Sequence, residues 1–354
     1  MAGCKDTCCG SPLKKLFSTL ATLVGIVAIV LIAVYATRSG ISPFDETHTM
    51  GTQGICSNTT SGDFELQIMS FNTFMINCLP GGKCQESELR TERAESIGEF
   101  FKDRDEDVVL LQELWSNHDI IRDGMTAAGF CHFVMTEERG GSGLAVFSKH
   151  PILENSFEDW ADLGDLKPDP LNPETYLAIK GVLYTKVMKG DQPINVLNLH
   201  ATSDSFGDNH DIRLKQFEAV KGVIDSKNID SEELVLIGGD MNEDKDCRMM
   251  TCKDPKCENQ TYYEEMLTAL SSGAIEINTE NTDAWTYNTE NNTLLKSLYE
   301  GSECDRYQYL LDYIFYSESH RVANKTSLCE VIQPKTAEGT ELSDHFPMTC
   351  VLYF

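Results

Sequence analysis

A set of polar residues stands where apolar runs end. Asn72 follows Gln67-Ile68-Met69-Ser70-Phe71, Glu113 follows Val108-Val109-Leu110-Leu111-Gln112, and His200 follows Val196-Leu197-Asn198-Leu199. Asp240 and Asn242 follow Leu234-Val235-Leu236-Ile237-Gly238-Gly239, Asp312 lies within Tyr309-Leu310-Leu311-Asp312-Tyr313-Ile314, and Asp344 and His345 precede the last apolar run. Glutamate is a hard oxygen ligand suited to Mg²⁺, and an amide such as Asn72 can hold a phosphate or a metal-bound water. Histidine exchanges protons near neutral pH and serves as general acid or base. Singly, each has a plainer role: an Asp or Asn after a strand caps a turn, and a lone His packs or is exposed. Their recurrence at successive strand ends points to one cleft, because a rigid sheet aims strand-end groups at a common place.

The elements that must position them follow from the apolar pattern. Strands are expected at 65–71, 108–111, 143–148, 181–187, 194–199, 234–237, 310–315 and 348–354. Helices are expected at 91–102, with Ala94, Ile97, Phe100 and Phe101 on one face, and at 212–224 and 262–270. Strands alternating with helices imply a mixed α/β layered fold, two sheets face to face with helices outside. Residues 62–354 suffice for one such domain.

The 354 residues carry 29 Lys+Arg against 56 Asp+Glu, a net charge of −27. That excludes an unspecific nucleic-acid binder, which needs basic residues to displace counterions from phosphates, and no nucleic-acid partner is expected. An enzyme handling one phosphodiester through a metal ion is still allowed. Hydrophobic residues at 41% supply a core.

Residues 1–40 hold a net +3, so the remainder carries −30. Residues 16–36 are uncharged and mostly Leu, Val, Ile and Ala, long enough for a transmembrane helix of about 20 residues. Lys14 and Lys15 before it predict a cytoplasmic N-terminus. The expected organisation is a cytoplasmic tail (1–15), a signal anchor (16–36), a Ser/Thr/Gly-rich stalk (37–61) and a catalytic domain (62–354), integral, single-pass and type II. A cleaved signal peptide with secretion is the alternative, since Val34-Tyr35-Ala36 resembles a cleavage site. Sequons at Asn58, Asn259, Asn291 and Asn324, and ten of the thirteen cysteines, follow the apolar segment and suit an external, disulfide-forming region. Cys4, Cys8 and Cys9 precede it and are candidates for acylation. Cys78 and Cys84 bracket a short loop as a local bridge. Cys247, Cys252 and Cys257, spaced by five, favour disulfides over zinc.

Gly238-Gly239-Asp240-Met241-Asn242, Ser343-Asp344-His345-Phe346-Pro347 and Gln112-Glu113-Leu114 resemble the endonuclease/exonuclease/phosphatase superfamily. Within it the chain resembles the secreted, bacterial-type neutral sphingomyelinases (sphingomyelinase C). That narrower likeness is carried by Thr91-Glu92-Arg93-Ala94, Gly181-Val182-Leu183-Tyr184-Thr185-Lys186, Val331-Ile332-Gln333-Pro334-Lys335, and His200-Ala201-Thr202-Ser203-Asp204-Ser205 with Arg213 and Gln216. The resemblance runs from about residue 65 to 354 and implies a four-layer α/β sandwich. It implies a Mg²⁺-dependent hydrolase (Mn²⁺ or Co²⁺ as substitutes) that converts membrane sphingomyelin to ceramide and phosphocholine.

The resemblance also implies roles. His345 is the general base and Asp312 orients it. Asp240 and Asn242 position water and stabilise the transition state. His200 contacts the phosphate or assists the leaving alkoxide. Glu113, Asn72 and Asp344 are the metal group, and Asn72, Asn242 and His200 touch substrate. A nuclease or another phosphodiesterase or phosphatase of the superfamily is the alternative, and a non-catalytic surface domain a further one. The remaining histidines match no motif, with His118 near enough to the cleft to be kept in view. Trp285 is a candidate for meeting a quaternary ammonium. Residues 335–342 are short, polar and without the aromatic hairpin that bacterial sphingomyelinases often carry there, so the anchor is expected to supply proximity to lipid.

Overall fold

Two sheets form because the apolar strands offer both faces for burial. The computed structural model describes residues 48–52, 64–76, 87–136, 141–164, 179–203, 209–245, 248–249, 261–278, 284–299, 307–324 and 327–354. The first strands are β1 (His48–Thr52), β2 (Glu65–Asn72), β3 (Val108–Gln112), β4 (His132–Thr136), β5 (Ala145–Ser148) and β6 (Ile152–Asp159). Next come β7 (Gly181–Lys189), β8 (Gln192–His200), β9 (Leu234–Asp240), β10 (Arg248–Met249), β11 (Ser272–Ala274) and β12 (Glu276–Ile277). The last are β13 (Tyr287–Asn288), β14 (Tyr307–Tyr309), β15 (Asp312–Ser317), β16 (Leu328–Val331) and β17 (Met348–Tyr353). The described helices are α1 (Ser87–Phe101), α2 (His118–Ala127), α3 (His210–Ser226), α4 (Tyr262–Leu270) and α5 (Thr293–Tyr299).

One sheet runs β1-β4-β5-β3-β2-β17-β16-β12, a second runs β11-β15-β9-β8-β7-β6, and β10-β14-β13 form a small third. Their period of two is visible in the core. Leu66, Ile68, Val108 and Leu110 point to the cluster shared with Val196, Leu197, Leu236 and Ile237 of the second sheet. The alternate residues Met69, Phe71, Val109 and Leu111 join Ala94, Ile97 and Phe101 of α1 and Ile121 and Met125 of α2. Helix α3 buries Phe217, Val220, Val223 and Ile224 in the inter-sheet cluster with Met266 and Leu270 of α4. The described residues therefore form mixed sheets flanked by helices. Helices α1 and α2 approach closely at Gly98 and Gly124, where an added Cβ would lie 2.8 Å from the opposing Cα.

The sheets are pinned at one end by a buried polar bridge. Gln112 Nε2 donates to Asn198 Oδ1 at 2.8 Å, and Asn198 Nδ2 donates to the carbonyls of Leu111 and Ala145, each at 2.9 Å. In the first sheet, Cys329 and Cys350 are direct partners of β16 and β17 and form a buried disulfide with Cα atoms 4.0 Å apart. Cys131 is also disulfide-bonded.

Three differences from the sequence reading matter. First, the membrane helix is corrected. Residues 16–36 lie outside the described residues, as do Cys4, Cys8, Cys9, Asn58 and Asn259. Among the described residues no helix is long and apolar enough to cross a membrane. The longest described helix, α3, has 17 residues and carries Asp211, Arg213, Lys215, Glu218, Lys221 and Asp225, whereas a span needs about 20 predominantly apolar residues. The described fold is therefore mixed α/β without a transmembrane helix, and no described element supplies the integral, single-pass type II placement. Second, β1 lies inside the segment expected as a stalk and pairs antiparallel with β4. Third, β9 continues past its apolar run to Asp240, whereas β15 begins at Asp312, two residues into the run expected at 310–315, and Asp240 and Asp312 are ladder partners.

Candidate active site

The ladders place three functional residues in one row. His200 on β8 faces Asp240 on β9, and Asp240 faces Asp312 on β15. Gly239 makes this possible: its φ is +141°, and a Cβ there would sit 1.9 Å from the Leu199 carbonyl oxygen. The first sheet contributes Asn72, the last residue of β2, and Glu113, which follows β3 with a φ of 55°. The loop before β17 brings Asp344 and His345. Ser343 holds that loop, its Oγ donating to the Asn72 carbonyl at 2.7 Å and accepting from the His345 N–H at 3.2 Å.

These groups converge on one carboxylate oxygen. Asn72 Nδ2 donates to Asp240 Oδ2 at 3.0 Å, with Glu113 Oε1 a further 3.2 Å contact of the same amide. His200 Nε2 lies 3.5 Å from Asp240 Oδ2, and His345 Nε2 lies 3.8 Å from it. Asp240 Oδ1 accepts from the Asn242 N–H at 2.9 Å, and Asn242 Nδ2 donates to the Ala201 carbonyl at 3.1 Å. His345 Nδ1 is paired with Asp312 Oδ2 at 2.8 Å, which leaves Nε2 facing the cleft. Asp344 is buried, with its Oδ1 3.2 Å from Ser343 Oγ.

Burial and like charge decide the protonation states. Burial drives Glu113 up to about 8, with Asp344 adding to it. Burial likewise raises Asp240 to about 6, against the pull of His345. Asp344 is raised by burial, opposed by His345 and Arg93. The two histidines separate. Burial would lower His345, but Asp312, Asp240 and Asp344 outweigh it and hold the ring well above the usual range. Burial, aided by Lys180 and His345, pushes His200 well below it. Such divergence of neighbouring titratable groups is the pattern of acid–base sites.

The site fits a divalent cation. Ligand atoms of Asp240, Asp312 and His345 all lie within 4.8 Å of one another, a buried group that could coordinate one. Asp312 Oδ1 is buried and has no hydrogen-bond partner among the described residues. The expected ligands Glu113 and Asn72 adjoin this group through Asp240, whereas the Asp344 carboxylate is engaged by Ser343.

Several supporting residues escape a reading of strand ends. Arg93 is fully buried and donates to the carbonyls of Thr73 (3.1 Å), Phe74 (2.8 Å) and Leu342 (2.7 Å), tying α1 to both loops of the site. Its signal is a charged residue beside Ala94 on an apolar helix face. Thr286 Oγ1 accepts from the N–H groups of Leu311 and Asp312 at 3.0 and 3.2 Å. Lys180 Nζ donates to the Ala201 carbonyl at 2.9 Å beside His200. Trp115 donates to the Gly141 carbonyl at 2.9 Å, with its ring 6.0 Å from that of His200. His118 is bonded to the Leu114 carbonyl at 2.9 Å, and Trp285 packs against the core. Asn291 and Asn324 are exposed.

Residues 69–345 match the Endonuclease/Exonuclease/phosphatase family. A sphingomyelinase C of Bacillus cereus is 27% identical over 319 residues, covering 83% of this chain and 87% of its own. The crystal structure of sphingomyelinase C from Streptomyces griseocarneus superposes with a TM-score of 0.59 at 20% identity, over 81% of this chain and 99% of that one. The D. rerio TDP2 structure complexed with a single-strand DNA product gives 0.57 at 17% identity, over 82% of this chain and 100% of that one. At these identities the solved structures bear on the fold alone. The family match and the buried Asp240–Asp312–His345 group identify the chain as a member of the Endonuclease/Exonuclease/phosphatase family and a hydrolase of phosphoric diester bonds.

Proposed function

We propose that the chain is a Mg²⁺-dependent sphingomyelin phosphodiesterase. The observation that carries the chemistry is the convergence of Asn72, His200 and His345 on Asp240 Oδ2, with Asp312 behind His345. The substrate is suggested by the Bacillus cereus relative, a sphingomyelinase C aligned along most of both chains.

In this reading Asp312 fixes the His345 ring through Nδ1, and Nε2 takes the proton from the attacking water. Asp312 also stabilises the imidazolium that results. His200 stays neutral and contacts the phosphate or the departing ceramide oxygen. Asn72 and Asn242 orient the phosphate, and Asp240 holds Asn72 and the loop bearing Asn242 in register. Glu113, Asp240 and Asp344 offer oxygen ligands for the cation. When bound, a divalent ion supplies positive charge that polarises the phosphoryl oxygen and offsets charge developing in the transition state. The buried Cys329–Cys350 disulfide supports action in an oxidising compartment.

A second reading, another phosphodiesterase of the family such as a nuclease, rests on the family match, which does not specify the ester cleaved. One assay separates them. The purified chain, with and without Mg²⁺, is offered sphingomyelin, phosphatidylcholine, a phosphoinositide and DNA. Phosphocholine release from sphingomyelin alone, and only with Mg²⁺, is expected. Cleavage of DNA in its place would establish the second reading.

A further inference from the structure

A strip of tyrosine rings starts at the catalytic histidine. Tyr287 meets the His345 ring edge-on at 4.9 Å. Tyr287 and Tyr309 are direct partners across β13 and β14, with centroids 6.3 Å apart and rings inclined by 24°. Tyr307, two residues along β14, lies 5.8 Å from Tyr309. The pleat puts all three on one face. The neighbouring pair Asn288 and Gln308 takes the other, where Asn288 is fully buried. The three tyrosines are half-buried.

We infer that Tyr287, Tyr309 and Tyr307 form a subsite for a quaternary ammonium carried by the phosphodiester substrate. This rests on the sphingomyelin reading and extends it from the bond cleaved to the group recognised. Ring faces are electronegative and attract cations, above all methylated ones. A trimethylammonium has no N–H, so it loses no hydrogen bond against an aromatic surface, whereas a primary ammonium leaves donors unmet. The charge balance favours a cation too: the chain carries a net −27. Tyrosine faces also stack nucleobases, but a polyanion would approach this acidic surface against repulsion.

The test uses the full chain with Mg²⁺ and mixed micelles of sphingomyelin or of ceramide phosphoethanolamine. Tyr309→Leu is expected to lower kcat/KM for sphingomyelin roughly tenfold, through KM, while that for the ethanolamine lipid stays within about twofold. Tyr309→Phe keeps the ring and the wild-type preference. Equal losses on both lipids, or none on either, overturn the subsite. If the wild-type chain releases no phosphocholine, the functional reading has failed. The subsite is then judged by tetramethylammonium inhibition of bis(p-nitrophenyl) phosphate hydrolysis. Inhibition weakened roughly tenfold by Tyr309→Leu supports it, and absent or unchanged inhibition overturns it. A defect confined to dinucleotide hydrolysis assigns the strip to base stacking and also overturns it. Should Tyr309→Leu not fold, Tyr307→Leu, one ring further from His345, is read by the same outcomes.

Discussion

Asp240 makes two histidines unequal. Both point Nε2 toward its Oδ2, yet only His345 has a second carboxylate, Asp312, on its other nitrogen. In the metal-free site His345 is therefore the more basic of the two, and a cation bound among the carboxylates would offset their charge and free Nε2 to accept a proton. His345→Ala is expected to lower kcat by roughly 10²–10⁴ with the thermal transition retained, and near-normal turnover in the folded variant would remove His345 as the base. Glu113 yields a pH prediction. Its carboxyl binds a proton up to about 8 in the metal-free protein, and a ligand must be deprotonated. Proton and cation thus compete, and apparent Mg²⁺ affinity rises with pH until about 8. Calorimetry at pH 7 in buffers of different ionisation enthalpy should detect proton release on Mg²⁺ binding, and a pH-independent affinity would contradict it. The positions of Asn72, Glu113, His200, Asp240 and His345 are legible in sequence because each follows or precedes an apolar run. Arg93, Thr286 and Lys180 are not, because their partners are backbone carbonyls and N–H groups that no side-chain pattern announces.

At the scale of elements, strands buried on both faces are the readable ones. Runs such as Val108-Val109-Leu110-Leu111 have no polar alternation because both clusters claim them. Strand β6 is hidden: it is the edge of its sheet, and Ile152-Leu153-Glu154-Asn155 has little buried to pattern it. The short strands β10, β13 and β14 are likewise too brief to show a period, although β13 and β14 carry the tyrosines. Helix α2 escapes because Asn117 and Gly124 punctuate it. The joints between elements are where substitution should tell. Asn198→Ala removes the bridge between the sheets one residue from Glu113 and leaves Gln112 without its closest partner. It is expected to cost about 2 kcal/mol in a denaturant titration and to lower kcat as well. Gly239→Ala, which drives a methyl group into the Leu199 carbonyl, is expected to cost roughly 3 kcal/mol or more. Native-like melting of that variant would show that β8 and β9 can separate at the site.

For the whole molecule, alternating strands and helices made the layered arrangement legible, and the apolar segment at 16–36 added a membrane span that no described element supplies. The polar character read for 335–342 is visible as a tight turn, with Lys335 paired to buried Glu341 at 2.9 Å and Glu341 in turn bonded to Thr293. The Cys329–Cys350 disulfide joins two adjacent strands of the eight-stranded sheet. Replacing both cysteines with alanine is expected to cost about 3 kcal/mol of unfolding free energy, measured against the oxidised wild type.

Strand β17 lies between β2 and β16, with His345 just ahead of it. It follows every other described strand in the chain, so until it docks the larger sheet is two unjoined pieces and His345 is not yet beside Asp312. Closure of the sheet and placement of His345 beside Asp312 are then a single event, so the site is assembled only when that strand docks.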